Sequence, residues 1–255
     1  MILCQRVRNI CRCRGFDAYR FDIKTKINKL DGVLALIYYM YYSFFIYVFG
    51  LVIFKTEFFK KFTIYFTNEH LYKLIIYIPV SLLSISPIFI ILWYRKQNLD
   101  TIGIKFNRLF QSLLIGFIGS LPFILPSIIG LFNQNKQLLY NFTDTVWIFM
   151  YFFICIAFTE EIAFRGFIQT RIEGIIKNKW VSILFVGIMF GLMHIPFQMI
   201  QANMSFIEFV SYDKYHLIIT ALIHIYLVYL YTRNNNILSS TITHTLIDFI
   251  PSIIN

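Results

Sequence analysis

Long apolar runs separated by short polar connections dominate the hydrophobic pattern of the chain. A helix needs about 20 mostly apolar residues to cross the hydrocarbon core of a bilayer. Seven runs reach or approach that length, and each predicts a transmembrane helix. They cover about residues 32–54, 74–94, 109–132, 146–168, 180–200, 215–231 and 237–254. Backbone groups in lipid must be satisfied internally and the runs do not alternate, so we predict an all-α, polytopic bundle of about seven spans and exclude a barrel.

Composition supports a membrane protein. Of the 255 residues, 58% are hydrophobic and only 14% are charged, whereas about 25% of the residues in a soluble domain are charged. Three of the four cysteines lie near the N-terminus and Cys155 lies in a span, which gives no disulfide framework. The first apolar run is too long for a secretory signal, so we interpret it as a retained anchor.

The basic residues favour a membrane surface over a nucleic acid as the partner of this +10 chain. Eight of them precede the first span: Arg6, Arg8, Arg12, Arg14, Arg20, Lys24, Lys26 and Lys29. Basic residues beside spans favour the cytoplasm, so we expect a multi-pass protein of the cell membrane with a cytoplasmic N-terminus. The loops around Arg95 and Arg171 then fall inside and the Glu208–Lys214 loop outside. The loop holding Lys55, Lys60, Lys61 and Lys73 disagrees.

Two adjacent carboxylates and an arginine interrupt the fourth predicted span. An ionisable group at the bilayer centre costs about 2.5–3.5 kcal/mol on insertion scales, so such groups usually mark function. Glu161 and Arg165 are four residues apart and can pair on one helix face. Glu160 then points about 100° away from Glu161 and is available for proton transfer. Alternatively, both acids only pair with positive groups at the end of the span.

Two further spans carry ionisable groups. His194 lies deep in the fifth span beside Gly191, a small residue that would allow close helix approach. His244 and Asp248 form an i,i+4 pair in the seventh. A lone histidine in a helix is more often a core residue than a catalyst, but three spans with ionisable groups favour a shared site. His70, His216 and His224 lack such a pattern and are interpreted as structural.

In this order, Glu160-Glu161-x-x-x-Arg165, Phe190-x-x-x-His194 and His244-x-x-x-Asp248 resemble the CPBP or Abi family of intramembrane proteases, which includes the type II CAAX prenyl endopeptidases. The resemblance covers roughly residues 145–250. It divides the chain into a basic segment 1–30, N-terminal transmembrane helices 31–144 and a CAAX-protease-like catalytic core 145–255.

The resemblance implies that Glu160 and His194 activate a water and that His244 and Asp248 stabilise the oxyanion, while Glu161 and Arg165 hold the helix in register. Many members have asparagine where this chain has Asp248. An ionised aspartate would repel an oxyanion, so Asp248 is expected to be protonated or to orient His244. The family mechanism needs no metal or other cofactor. Zinc held by glutamate and two histidines is the alternative.

The sequence thus predicts an intramembrane endopeptidase that cleaves lipidated, membrane-associated or amphipathic peptides, including lipoproteins, near the cytoplasmic leaflet. The resemblance implies a bacterial role in bacteriocin immunity or peptide maturation. A non-catalytic membrane immunity or scaffold protein that binds a peptide or partner is the alternative. A transporter would also use buried acids, but no inverted repeat is visible.

Overall fold

The structure, a computed structural model, describes residues 27–63, 65–133 and 136–254. These residues form an all-α bundle, as predicted. Residues 1–26, which include most of the basic N-terminal segment and Cys4, Cys11 and Cys13, are outside the part of the chain that the structure describes. The seven long helices are α1 (Lys29–Lys55), α2 (Glu69–Tyr94), α3 (Leu109–Phe132), α4 (Phe142–Ile172), α5 (Lys179–Gln201), α6 (Phe206–Thr232) and α7 (Ile237–Ile253).

Helices α1 to α6 are long and apolar enough to cross a membrane. Helix α7, predicted as the seventh span, has only 17 residues. One prediction was wrong: the segment Glu208–Lys214 is helical, because Ser205 and Glu208 form a capping box that begins α6 nine residues before the predicted span. Short helical turns also occur at Lys60–Thr63 and Leu99–Ile102.

Contacts between helix ends define two opposite faces of the bundle. On the Arg95 face, Arg95 Nε donates to Asp31 Oδ1 at 2.8 Å and Asn236 Nδ2 donates to the carbonyl of Lys105 at 2.9 Å. On the Asn68 face, Asn68 Nδ2 donates to Asp144 Oδ1 at 2.5 Å. Successive long helices run in alternate directions between these faces, so α1, α3, α5 and α7 begin at the Arg95 face.

Small residues bring the helices close together. A Cβ at Gly191 would lie 2.8 Å from the carbonyl oxygen of Leu217, which confirms the expected close approach beside His194. Gly116 allows α3 to approach α7, where Thr243 Oγ1 donates to the Gly116 carbonyl at 2.8 Å. These approaches fix the two helices that carry the histidines of the predicted site.

Helix α4 crosses the centre of the bundle and is not a regular α-helix. Its segments Tyr151–Phe158 and Glu161–Ile168 are π-helical. Within this widened helix, Thr159 Oγ1 donates to the Ile154 carbonyl at 3.1 Å. Every residue from 161 to 172 is buried. Wide helical turns of this kind are rare and frequent at functional sites, and these two flank Glu160.

We expect Gly166→Ala to destabilise the fold by about 1–3 kcal/mol, the usual cost of overpacking. A Cβ at Gly166 would lie 2.6 Å from the backbone oxygen of Ile102, which cannot move without the surrounding turn. Thermal unfolding of the purified protein in detergent measures the loss. Gly130→Ala is the matched control, because there the new methyl group meets only the flexible side chain of Lys136. Equal stability of the two variants would contradict the packing of α4 against this turn.

Candidate active site

A cavity of about 350 Å³ lies between α1, α2, α4 and α5, with one lining residue each from α6 and α7, and is lined by the predicted residues Glu160, His194 and Asp248. Its walls include the aromatic residues Tyr42, Phe49, Tyr77, Tyr151, Phe152 and Phe197. Most of its lining residues come from the halves of the helices nearest the Asn68 face. Toward the Arg95 face, the fully buried rings of Phe164 and Phe190, 4.9 Å apart, close the bundle.

Glu160 and Glu161 have different surroundings, as the helical spacing predicts. The side chain of Glu160 is 13% exposed and lines the cavity. Glu161 is fully buried, and its Oε1 lies 3.0 Å from Arg165 Nη1. The guanidinium of Arg165 also lies 4.1 Å from the centre of the Phe190 ring. The pair therefore accounts for one carboxylate and leaves the other facing the cavity.

One ring nitrogen of His194 is hydrogen-bonded to the backbone, and the other keeps a free lone pair. Its Nδ1 lies 2.8 Å from the carbonyl of Phe190, one turn earlier in α5. A carbonyl only accepts, so Nδ1 carries the proton and Nε2 keeps a free lone pair in the neutral ring. No hydrogen bond joins His194 to Glu160 among the described contacts, although both line the cavity.

His244 connects the acidic residues of α4 and α7. Its Nδ1 lies 2.9 Å from Glu161 Oε1, and its Nε2 lies 3.4 Å from Asp248 Oδ2 and 3.9 Å from Glu160 Oε2. His244 thus lies beside both glutamates and Asp248, so the polar residues of α4 and α7 form one cluster.

The other histidines differ in their surroundings. His224 is fully buried, and its Nε2 lies 3.0 Å from Gln169 Oε1, which fits the structural interpretation. The ring of His70 contacts Tyr140. His216 was interpreted as structural, yet it lines the cavity and pairs with Asp213 at 2.9 Å.

Sequence reasoning also missed Lys73, which lines the cavity with its ammonium 4.3 Å from the centre of the Tyr151 ring. Cys155, expected to be a packing residue, is buried and lies in the same wall.

The donor arrangement gives little support to the zinc alternative. Within the part of the chain that the structure describes, no three histidine, cysteine, aspartate or glutamate side chains are grouped so as to hold a metal ion.

Comparison with known families gives a match over the part of the chain that carries this cluster. Residues 142–250 match the family described as type II CAAX prenyl endopeptidase Rce1-like. The match confirms the resemblance indicated by the three motifs and extends from the start of α4 into α7. Searches of curated proteins and of solved structures gave no match.

Proposed function

We propose that this chain, whose residues 142–250 match the Rce1-like family of type II CAAX prenyl endopeptidases, is an active intramembrane endopeptidase. One observation carries the proposal: Glu160, His194 and Asp248 come from three helices and line a single cavity inside a membrane-spanning bundle. Burial of such groups in a membrane is costly and usually functional.

The chemistry begins with a water held between Glu160 and the free Nε2 of His194. Glu160 accepts a proton from this water while the oxygen of the water forms a bond to the scissile carbonyl carbon. The same proton passes from Glu160 to the amide nitrogen as the C–N bond breaks, which releases the amine and a carboxylic acid, and the acid then gives up its proton to solvent. A positioned acid–base group of this kind contributes typically about 10²–10⁴-fold to the rate.

His244 is placed to stabilise the charge that develops during attack. An ionised carboxylate can only accept a hydrogen bond. The bond between Glu161 and His244 Nδ1 therefore requires a proton on Nδ1, and it fixes the orientation of the ring. Nε2 faces both Glu160 and Asp248, and in the imidazolium form of the ring, with both nitrogens protonated, its N–H can donate to the oxyanion. Asp248 is 3.4 Å from Nε2 and so orients this nitrogen. Glu161 and Arg165 position the ring and do not touch the substrate.

Asp248→Asn is expected to retain cleavage within about tenfold of the wild-type rate, because an amide oxygen can still accept from His244 and an amide N–H can donate to the oxyanion. Asp248→Leu removes both abilities and should lose at least a further tenfold. Initial rates on one peptide substrate distinguish the two variants. An equally large loss in both variants would show that the negative charge itself is required.

The substrate we propose is a membrane-associated, lipidated or amphipathic peptide or lipoprotein. The aromatic walls suit apolar side chains, and the cavity is large enough for only a few residues of an unfolded segment. The biological setting that we propose is a bacterial cell membrane, with the N-terminus in the cytoplasm and a role in bacteriocin immunity or peptide maturation. Nucleic acid is not part of this proposal.

A comparison of peptide termini tests the proposed activity. Membranes and medium from cells with wild-type protein are compared with those from cells with Glu160→Gln at matched abundance. New termini that occur only with the wild type support proteolysis and give candidate substrates for purified protein. Identical termini, with the host phenotype preserved in the variant, would instead support the non-catalytic immunity or scaffold function.

A further inference from the structure

Basic residues are distributed unequally between the two faces of the bundle. Of the described lysines and arginines, nine lie at or near the Arg95 face and six at or near the Asn68 face. The first group contains Lys29, Arg95, Lys96, Lys105, Arg108, Arg171, Lys177, Lys179 and Arg233. The second contains Lys55, Lys60, Lys61, Lys73, Lys136 and Lys214. Seven more basic residues precede residue 27 in the sequence, ahead of α1. Lysine and arginine close to spans favour the cytoplasmic side, and this excess favours the Arg95 face as the cytoplasmic one.

The cavity extends in the other direction. On α4 its lining runs from Tyr151 to Glu160, toward the end of that helix at the Asn68 face. On α5 it runs from Met193 to Gln198, toward the same face. Lys73 lies one turn inside the start of α2, and the side chain of His216 is 54% exposed. Glu160 is therefore at the deep end, and Lys73 and His216 are at the mouth.

Buried aromatic and polar side chains fill the half of the bundle nearest the Arg95 face. Tyr38 and Phe167 are buried with their ring centres 5.4 Å apart, on the cytoplasmic side of Phe164. Arg171 is buried below them, donating to the carbonyl of Thr101 at 2.8 Å and to Gln97 Oε1 at 2.8 Å. A peptide from the cytoplasm would have to displace these groups to reach Glu160.

We infer that the catalytic cavity opens to the extracytoplasmic side, and that the substrate is a peptide segment already exposed on that side of the membrane. The inference rests on the proposed proteolytic function and replaces the expectation of cleavage near the cytoplasmic leaflet. It selects exported or membrane-anchored peptides whose cleavable segment has crossed the bilayer. Peptides that remain wholly in the cytoplasm are excluded as substrates.

Cysteine labelling in intact cells tests the direction of the cavity. The starting protein has Cys4, Cys11, Cys13 and Cys155 replaced by serine. Three single changes then introduce one cysteine each: His216→Cys at the mouth, Lys214→Cys on the Asn68 face and Lys177→Cys on the Arg95 face. A membrane-impermeant maleimide is expected to label the first two in intact cells and Lys177→Cys only after permeabilisation. The reverse pattern would overturn the inference. Labelling of Lys214→Cys without His216→Cys would show that the mouth is closed on this face, and would also overturn it.

Measuring cleavage after maleimide labelling distinguishes failure of this inference from failure of the proposed proteolysis. In intact cells, maleimide on His216→Cys is expected to reduce substrate cleavage at least tenfold by blocking the mouth. The same reagent on Lys214→Cys, which lies outside the cavity lining, should leave cleavage unchanged. Full cleavage after complete labelling of His216→Cys would overturn the proposed route. If the labelling pattern is as expected but no variant or wild-type protein cleaves any peptide, the orientation stands and the proposed function fails.

Discussion

Replacing Glu160 with glutamine is expected to slow peptide cleavage by about 10²–10⁴-fold while the amount of folded protein in the membrane stays the same. Glutamine has the shape of glutamate but cannot accept the proton of the attacking water. Glu160 Oε2 makes no hydrogen bond within the described part of the chain and lies 3.9 Å from His244 Nε2, so the exchange weakens this one ionic contact and breaks no hydrogen bond at that oxygen. Single-turnover cleavage by purified protein on one identified peptide measures the loss.

Glu173→Gln is the matched control for this prediction. Glu173 follows the end of α4, outside the cavity lining, and burial raises the pKa of its carboxyl above the ordinary value. The same chemical change in a similarly desolvated carboxyl should therefore leave cleavage within about twofold of wild type, well inside one tenfold step of 1.4 kcal/mol. A wild-type rate in Glu160→Gln would show that another group accepts the proton. A loss of folded protein in Glu160→Gln alone would show that the carboxylate is a structural group.

The sequence was sufficient to predict which carboxylate faces the cavity, because that property is local. Glu161 and Arg165 are separated by one helical turn, so they pair whatever surrounds them, and the adjacent Glu160 must point elsewhere. The spans were predictable for the same reason, since twenty apolar residues identify a membrane helix without knowledge of its neighbours. The start of α6 was misplaced because Glu208, Asp213 and Lys214 are polar, although their helix is already capped by Ser205.

Contacts between distant segments could not be predicted in this way. The bond between His244 and Glu161 joins residues 83 positions apart and depends on how α7 packs against α3 and α4. The π-helical turns of α4 depend equally on the environment, for their widened backbone is held partly by Thr159 and partly by neighbouring helices. Lys73 and His216 carry no motif, and only the arrangement of α2 and α6 brings them to the cavity.

Arg165→Met is expected to destabilise the protein by about 3–5 kcal/mol, the cost of leaving one member of a buried ion pair alone. Methionine keeps an apolar contact with the Phe190 ring, so packing is largely preserved. The change removes the charged arginine partner of the fully buried carboxylate of Glu161 and leaves it beside His244 and Ser240. Thermal unfolding in detergent should show the loss. Arg233→Met is the control, because Arg233 is exposed and stacks on Tyr229, a contact worth about 0.5–1 kcal/mol at an exposed site.

Adding Glu161→Gln to Arg165→Met is expected to recover most of that stability. The double variant has no buried charge at this pair, and the amide oxygen of the new glutamine can still accept from His244 Nδ1. If burial of an unpaired carboxylate causes the loss, the two changes are strongly non-additive and the double variant is more stable than Arg165→Met alone. Additive losses would mean that Arg165 acts through its contact with Phe190 and not through its charge. In that case the ion pair would not be what holds Glu160 at the cavity, and the helix register would depend on aromatic packing.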